Sequence, residues 1–170
     1  MFHIAHMMHI AHWNNKSSLY YFADHINAFS QLDSCYEPNK CFFPQISEFQ
    51  RLAEEYPNAL FIMMHRNVKD HIASINNWKR MRERIINGEI PSLPAGKGEL
   101  DQELSDWITG HYRNVTSYFK STAPDRFLTY DLNKDNVEKL KGFLQCYDQD
   151  YIMPHLNNTK LMQQAQNKSS

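Results

Sequence analysis

Glycine is scarce in this chain: there are five in 170 residues, and the first is Gly88. Nothing before that point can form a glycine-rich loop of the kind whose successive backbone N–H groups cradle a phosphate. Cysteine is equally thin. Cys35, Cys41 and Cys146 make no even framework and no C-x-x-C pair, so reduced thiols in an intracellular, cytoplasmic protein are expected. No apolar run approaches the roughly 18–20 residues of a membrane span. The N-terminus lacks a basic region followed by an apolar core, so no cleaved signal peptide is expected. Charge of one sign is also missing, with a formal net charge of −1, which argues against nucleic acid as a partner. A local basic cluster (Lys79, Arg80, Arg82, Arg84) reads as the solvated face of a helix.

The richest stretch runs from Ala59 to Ser74. Six apolar residues, Ala59 to Met64, follow one another without a polar break, as in a strand buried on both faces of a sheet. The run ends at His65-Arg66, and Val68, Ile72, Ile75 and Trp78 then fall on one face of a helix over 70–86. A strand that feeds a helix through a short polar turn presents unpaired N–H groups, an anion site in α/β proteins. Arg66 adds a planar cation at that turn.

Around this stretch the chain reads in order. Histidines at positions 3, 6, 9 and 12 share a short apolar segment, where they are either incidental or potential Zn²⁺ ligands on one helix stripe. Residues 18–29 read as a helix, with Leu19, Phe22, Ile26 and Phe29 on one face. A polar connector follows to Pro44, and Pro38 and Pro44 bar a helix through it. Ser47-x-x-Gln50 is a capping-box pattern that opens a helix ending at Tyr56-Pro57. The Pro- and Gly-rich loop 87–98 is expected to be mobile. An amphipathic helix over about 99–120, a strand over 126–130 and a helix over 136–145 complete the pattern. The alternation argues for α/β with a mainly parallel sheet, although only two strands are clear. The expectation is a single domain over 1–156 and a polar tail over 157–170.

The segment Arg66-Asn-Val-Lys-Asp-His-Ile-Ala-Ser74 resembles the 3′-phosphate-binding segment of the P-loop sulfotransferases, which use 3′-phosphoadenosine-5′-phosphosulfate (PAPS) as sulfuryl donor. In that family an apolar strand ends in Arg, and a Ser follows eight positions later. The flanks extend the likeness. Gln45-Ile46 and the helix ending Tyr56-Pro-Asn-Ala-Leu-Phe-Ile62 are similar to the family's lead into this strand. Trp78-Lys-Arg-Met-Arg-Glu-Arg84 resembles the helix after it, and Arg126-Phe-Leu-Thr-Tyr130-Asp131 the later strand, whose Tyr lies near the adenine. His12-Trp13, Phe29-Ser-Gln-Leu-Asp33 and Cys41-Phe-Phe-Pro-Gln-Ile46 are similar to divergent members of algal type. The likeness covers most of residues 12–145.

The resemblance implies a P-loop NTPase-like three-layer fold, with a mainly parallel sheet that is incomplete at the N-terminus. It implies Arg66, Ser74 and Tyr130 as PAPS-binding residues, no metal requirement, and a small-molecule or carbohydrate acceptor. Two family features lack counterparts. The Lys-x-Gly-Thr-Thr-like loop that holds the 5′-phosphosulfate has no match before Arg66, and Gly96-Lys97-Gly98 follows a Pro-rich loop rather than a strand. The expectation is therefore a shortened member without its P-loop. In cytosolic relatives a His two residues before a Pro acts as general base, and Phe42 stands there in this chain. Asp33 or Glu37 can supply a carboxylate base instead, and Asp33 also reads as a turn residue that caps local N–H groups. The expected activity is sulfuryl transfer to a hydroxyl or amine. The alternative is a non-catalytic module that binds nucleotide or a protein partner; a kinase-like transferase fits less well, since it too needs the P-loop.

Overall fold

The structure is a computed structural model that describes residues 4–22, 25–30, 32–37, 40–78, 80–88, 90–94 and 96–145. The elements are α1 (Ile4–Trp13), β1 (Ser34–Glu37), β2 (Lys40–Phe42), α2 (Pro44–Ser47), α3 (Phe49–Glu55), β3 (Phe61–His65), α4 (Val68–Asn77), α5 (Met81–Asn87), α6 (Asp101–Thr122), β4 (Phe127–Asp131) and α7 (Val137–Leu144). Contacts divide the chain into two compact units, Met1–Asn133 and Lys134–Ser170, and α7 is the described element of the second. Cys146 and the expected tail over 157–170 lie outside the described residues.

The fold is a mixed helix–strand arrangement with a small parallel sheet. β3 and β4 pair in parallel, Phe61 opposite Phe127 and His65 opposite Asp131. α4, α5 and α6 make the crossover between them, as a parallel pair requires. Phe61, Met63 and Phe127 pack on Ala53, Val115 and Phe119. Phe119 is 1% exposed and stacks on Phe127 with ring centroids 4.7 Å apart. The opposite face of β3 is open: Leu60, Ile62 and Met64 are 43%, 37% and 48% exposed. Burial on both faces, expected from the unbroken apolar run, is thus corrected to burial on one, because the described elements cover only the α3–α6 side.

A second core joins Ile72 and Ile75 of α4, Ile85 of α5, Ile90, Leu93, and Leu104 and Ile108 of α6. Ile90 and Leu93 of the loop expected to be mobile are thus anchored in this core. Arg82 fastens the loop, donating to the carbonyls of Gly98 (3.0 Å) and Glu99 (2.7 Å) and to Asp101 (2.6 Å). One member of the basic cluster departs from the solvated-face reading: Arg82 is a half-buried staple, whereas Arg80 stays exposed and pairs with Glu83 through two 2.7 Å bonds, and Lys79 lies outside the described residues. The single helix expected over 70–86 is two. Trp78 turns extended and Arg80 takes a left-handed φ of 57°, which ends α4 and starts α5.

Four N-terminal expectations also change. Residues 18–22 form turns rather than a helix, closed by bonds from the Tyr20 N–H to the Ser17 carbonyl (3.1 Å) and from the Phe22 N–H to the Leu19 carbonyl (2.8 Å), and the Ser18 and Leu19 N–H groups anchor them to Glu55 (2.6 Å) and the Tyr56 hydroxyl (2.7 Å). The connector holds a hairpin, β1 against β2, with the Cys35 and Cys41 backbones opposite one another. Cys41 is disulfide-bonded, which corrects the reading of reduced thiols. Pro44 starts α2 at a position where its missing N–H costs nothing. The Ser47 hydroxyl donates back to the Phe43 carbonyl, so no capping box forms at α3. At the other end of α3, Arg126 donates to the carbonyls of Tyr56 (3.0 Å), Ala59 (3.1 Å) and Ala53 (3.4 Å), tying the start of β4 to the entry of β3.

Candidate functional site

The parallel register brings His65 and Asp131 side by side at the carboxyl ends of β3 and β4, where open α/β sheets bind ligands. His65 Nδ1 lies 3.2 Å from Asp131 Oδ2. A carboxylate only accepts, so Nδ1 carries the hydrogen and a neutral ring keeps its lone pair on Nε2. The other carboxylate oxygen of Asp131 accepts the Asn133 N–H at 2.9 Å, which fixes the pair. Arg66 follows directly and Asn67 caps α4, its side chain accepting the Lys69 N–H at 2.9 Å. Asp70, in the first turn, complements the helix dipole.

Tyr112 of α6 packs under this junction. Its ring centroid is 4.8 Å from that of His65, and its hydroxyl lies 3.1 Å from His71 Nδ1. The Arg66 backbone N–H lies toward the same oxygen. Burial raises the Tyr112 pKa, and the Arg66 N–H and charge oppose that shift. His71 is pulled below its ordinary value by burial first and by Arg66 second. His111 is lowered by burial and then by His71. At neutral pH both imidazoles are therefore uncharged, His71 beside the permanent cation of Arg66. Among the described residues no carboxylate pairs with the Arg66 guanidinium, so a salt bridge to Asp70 is not what holds it.

The expected site residues fall in different places. Ser74 is half-buried on α4, on the stripe that also carries Asn67 and His71. It stands about 10 Å along the axis from Asn67. Arg66 and Ser74 thus belong to one strand–helix unit. Tyr130 is 4% exposed and, paired with Met64, points to the sheet face opposite His65 and Asp131. Asp33 is half-buried just before β1, in the hairpin region rather than at the strand ends. Asp131 and Tyr112 were not legible as site residues. Their signals, a strand-end carboxylate and an i+4 step from Ile108, gain meaning only once register and helix phase are known.

Among the described residues no group of three or more His, Cys, Asp or Glu side chains is placed to hold a metal ion. His12 Nε2 bonds the Ser18 hydroxyl at 2.9 Å, and the His9 ring lies 4.2 Å from that of Phe42. No described helix is long and apolar enough to cross a membrane.

These features define a mixed helix–strand protein with a parallel strand–helix unit and a cation at its carboxyl end. No protein-family model, curated protein or solved structure matches the chain.

Proposed function

We propose that the chain is a sulfotransferase-like protein that binds the adenosine 3′,5′-bisphosphate part of PAPS and transfers its sulfuryl group to a hydroxyl or amine acceptor. The observation that carries the reading is Arg66. It is a cation without a carboxylate partner among the described residues, at the carboxyl end of a parallel strand and the start of a capped helix. The Arg66-to-Ser74 spacing, the Tyr56-Pro57 lead and the Tyr130-Asp131 strand end support it by resemblance. The reading includes a P-loop NTPase-like three-layer fold, of which β3, β4 and their crossover helices are one part.

In the proposed reaction the acceptor oxygen or nitrogen attacks sulfur in line. The bond from sulfur to the 5′-phosphate oxygen breaks and adenosine 3′,5′-bisphosphate leaves. The acceptor proton passes to a base, and positioning and charge neutralisation supply most of the rate. Asp33 is the base expected from sequence, but His65, held by Asp131, offers its Nε2 lone pair at the strand ends themselves. No metal is required by this chemistry.

A second reading, a nucleotide-binding module without transfer, is favoured by Phe42 at the position where the resemblance would put the general-base His. Titration with adenosine 3′,5′-bisphosphate and with adenosine 5′-monophosphate tests the shared part of both readings. Tighter binding of the bisphosphate is expected, and equal affinities refute the nucleotide site. Sulfuryl transfer from labelled PAPS to an acceptor panel separates the two.

A further inference from the structure

Beyond the strand ends, α6 borders an open groove that the nucleotide reading does not use. Trp107, His111, Asn114 and Tyr118 recur at i, i+4, i+7 and i+11, one stripe of α6, and line it together with Gln50 and Ser117. The space is about 490 Å³ and continues past Trp107, His111 and Asn114 into a second recess of about 370 Å³.

The aromatic walls are held in place. The Trp107 indole N–H donates to the Pro91 carbonyl at 3.0 Å, and Tyr118 meets Phe49 edge to face at 5.6 Å. The Tyr118 hydroxyl donates to the Gln50 carbonyl at 3.4 Å. By contrast, the side chains of Gln50, Asn114 and Ser117 are exposed and make no internal hydrogen bond among the described residues. The larger space has no carboxylate, ammonium or guanidinium group in its lining, and His111 is uncharged at neutral pH. In the second recess Lys97 and Glu103 neutralise one another at 2.9 Å, and Asp106 accepts from Gln102 at 2.8 Å.

Fixed aromatic faces with uncommitted amides and hydroxyls between them suit a ligand with apolar C–H faces and many neutral hydroxyls. In the larger space a charged ligand finds no counter-ion and loses hydration. We infer that the α6 groove around Trp107, Asn114 and Gln50 is a binding site for a neutral saccharide. The inference goes beyond the nucleotide reading and does not rest on it.

The test uses the full chain and three neutral trisaccharides (cellotriose, maltotriose and chitotriose), with trigalacturonate as the acidic control. Binding is followed through the indole and side-chain amide resonances of the protein. The expected result is saturable binding of at least one neutral trisaccharide at millimolar concentration, shifting the Trp107 indole and Asn114 amide signals. Asn114→Ala and Gln50→Ala, both at exposed positions, each weaken it about tenfold without changing the melting temperature. Arg66→Ala leaves it unchanged, which keeps this site distinct from the nucleotide site. The inference is overturned if none of the three binds saturably, if trigalacturonate binds as well as they do, or if both alanine variants retain full affinity.

Discussion

Replacing Tyr112 by Phe removes one oxygen and leaves the ring that packs on His65 at 4.8 Å. That oxygen meets His71 Nδ1 at 3.1 Å and faces the Arg66 backbone N–H. A net hydrogen bond contributes about 0.5–1.5 kcal/mol, and a partner left unsatisfied in the interior costs about 1–3 kcal/mol. Tyr112 and His71 are only half-buried, so water can recover part of the loss and the lower range applies. The expected destabilisation is about 1–2 kcal/mol. Urea unfolding of the wild type, Tyr112→Phe, His71→Ala and the double variant measures it. The cycle should return a coupling of about 1 kcal/mol, since either single change already breaks the bond. A loss below about 0.3 kcal/mol, or strict additivity, refutes the claim that Tyr112 couples α4 to the Arg66 turn.

Arg126→Ala removes three bonds to the carbonyls of Tyr56, Ala59 and Ala53, and a loss of about 2–4 kcal/mol is expected in the same assay. A value below about 1 kcal/mol contradicts its role in tying the start of β4 to the end of α3 and the entry of β3. Phe61→Ala, on the packed face of β3, is expected to cost about 3 kcal/mol, and Met64→Lys, on the open face, under about 1 kcal/mol. The reverse order contradicts one-sided burial. His12, His71 and His111 all have folded pKa values below the ordinary 6.5, so below that pH the unfolded chain binds more protons. Their contribution is complete above pH 6.5 and is lost as pH falls through their folded values. Glu103, held at about 2 chiefly by Lys97, adds a separate loss only below its ordinary 4.5. Urea midpoints at about pH 7.5 and pH 5.5 should therefore fall with acidity, and a flat profile contradicts the buried-neutral histidines.

Much of the strand–helix unit was legible because its signals are local. The apolar run to Met64 and the Val68–Ile72–Ile75 period place β3 and the start of α4 to within about two residues. The one-sided burial of β3 was not legible, since a run of six apolar residues looks the same whether one face or both are covered. The break at Arg80 was hidden because non-glycine residues rarely take a left-handed φ, and the sequence there keeps helical composition. Arg82 read as solvated because its partners, Gly98, Glu99 and Asp101, lie 16 to 19 residues away. His65 and Asp131 are separated by 66 residues, and only strand register makes them a pair. Arg66 and Ser74, by contrast, belong to one unit that could be read off the sequence, while Asp33 and Tyr130 depended on long-range placement.

The central claim is that Arg66 recognises a 3′-phosphate, and a two-by-two titration tests it most directly. Adenosine 3′,5′-bisphosphate and adenosine 5′-monophosphate are each titrated into the wild type and into Arg66→Ala. A charge-assisted contact of about 1.5–3 kcal/mol predicts that the 3′-phosphate tightens wild-type binding by about tenfold to a hundredfold. It also predicts that the gain collapses in Arg66→Ala while binding of the monophosphate hardly changes. A 3′-phosphate gain that survives in Arg66→Ala, or is absent from the wild type, contradicts the account.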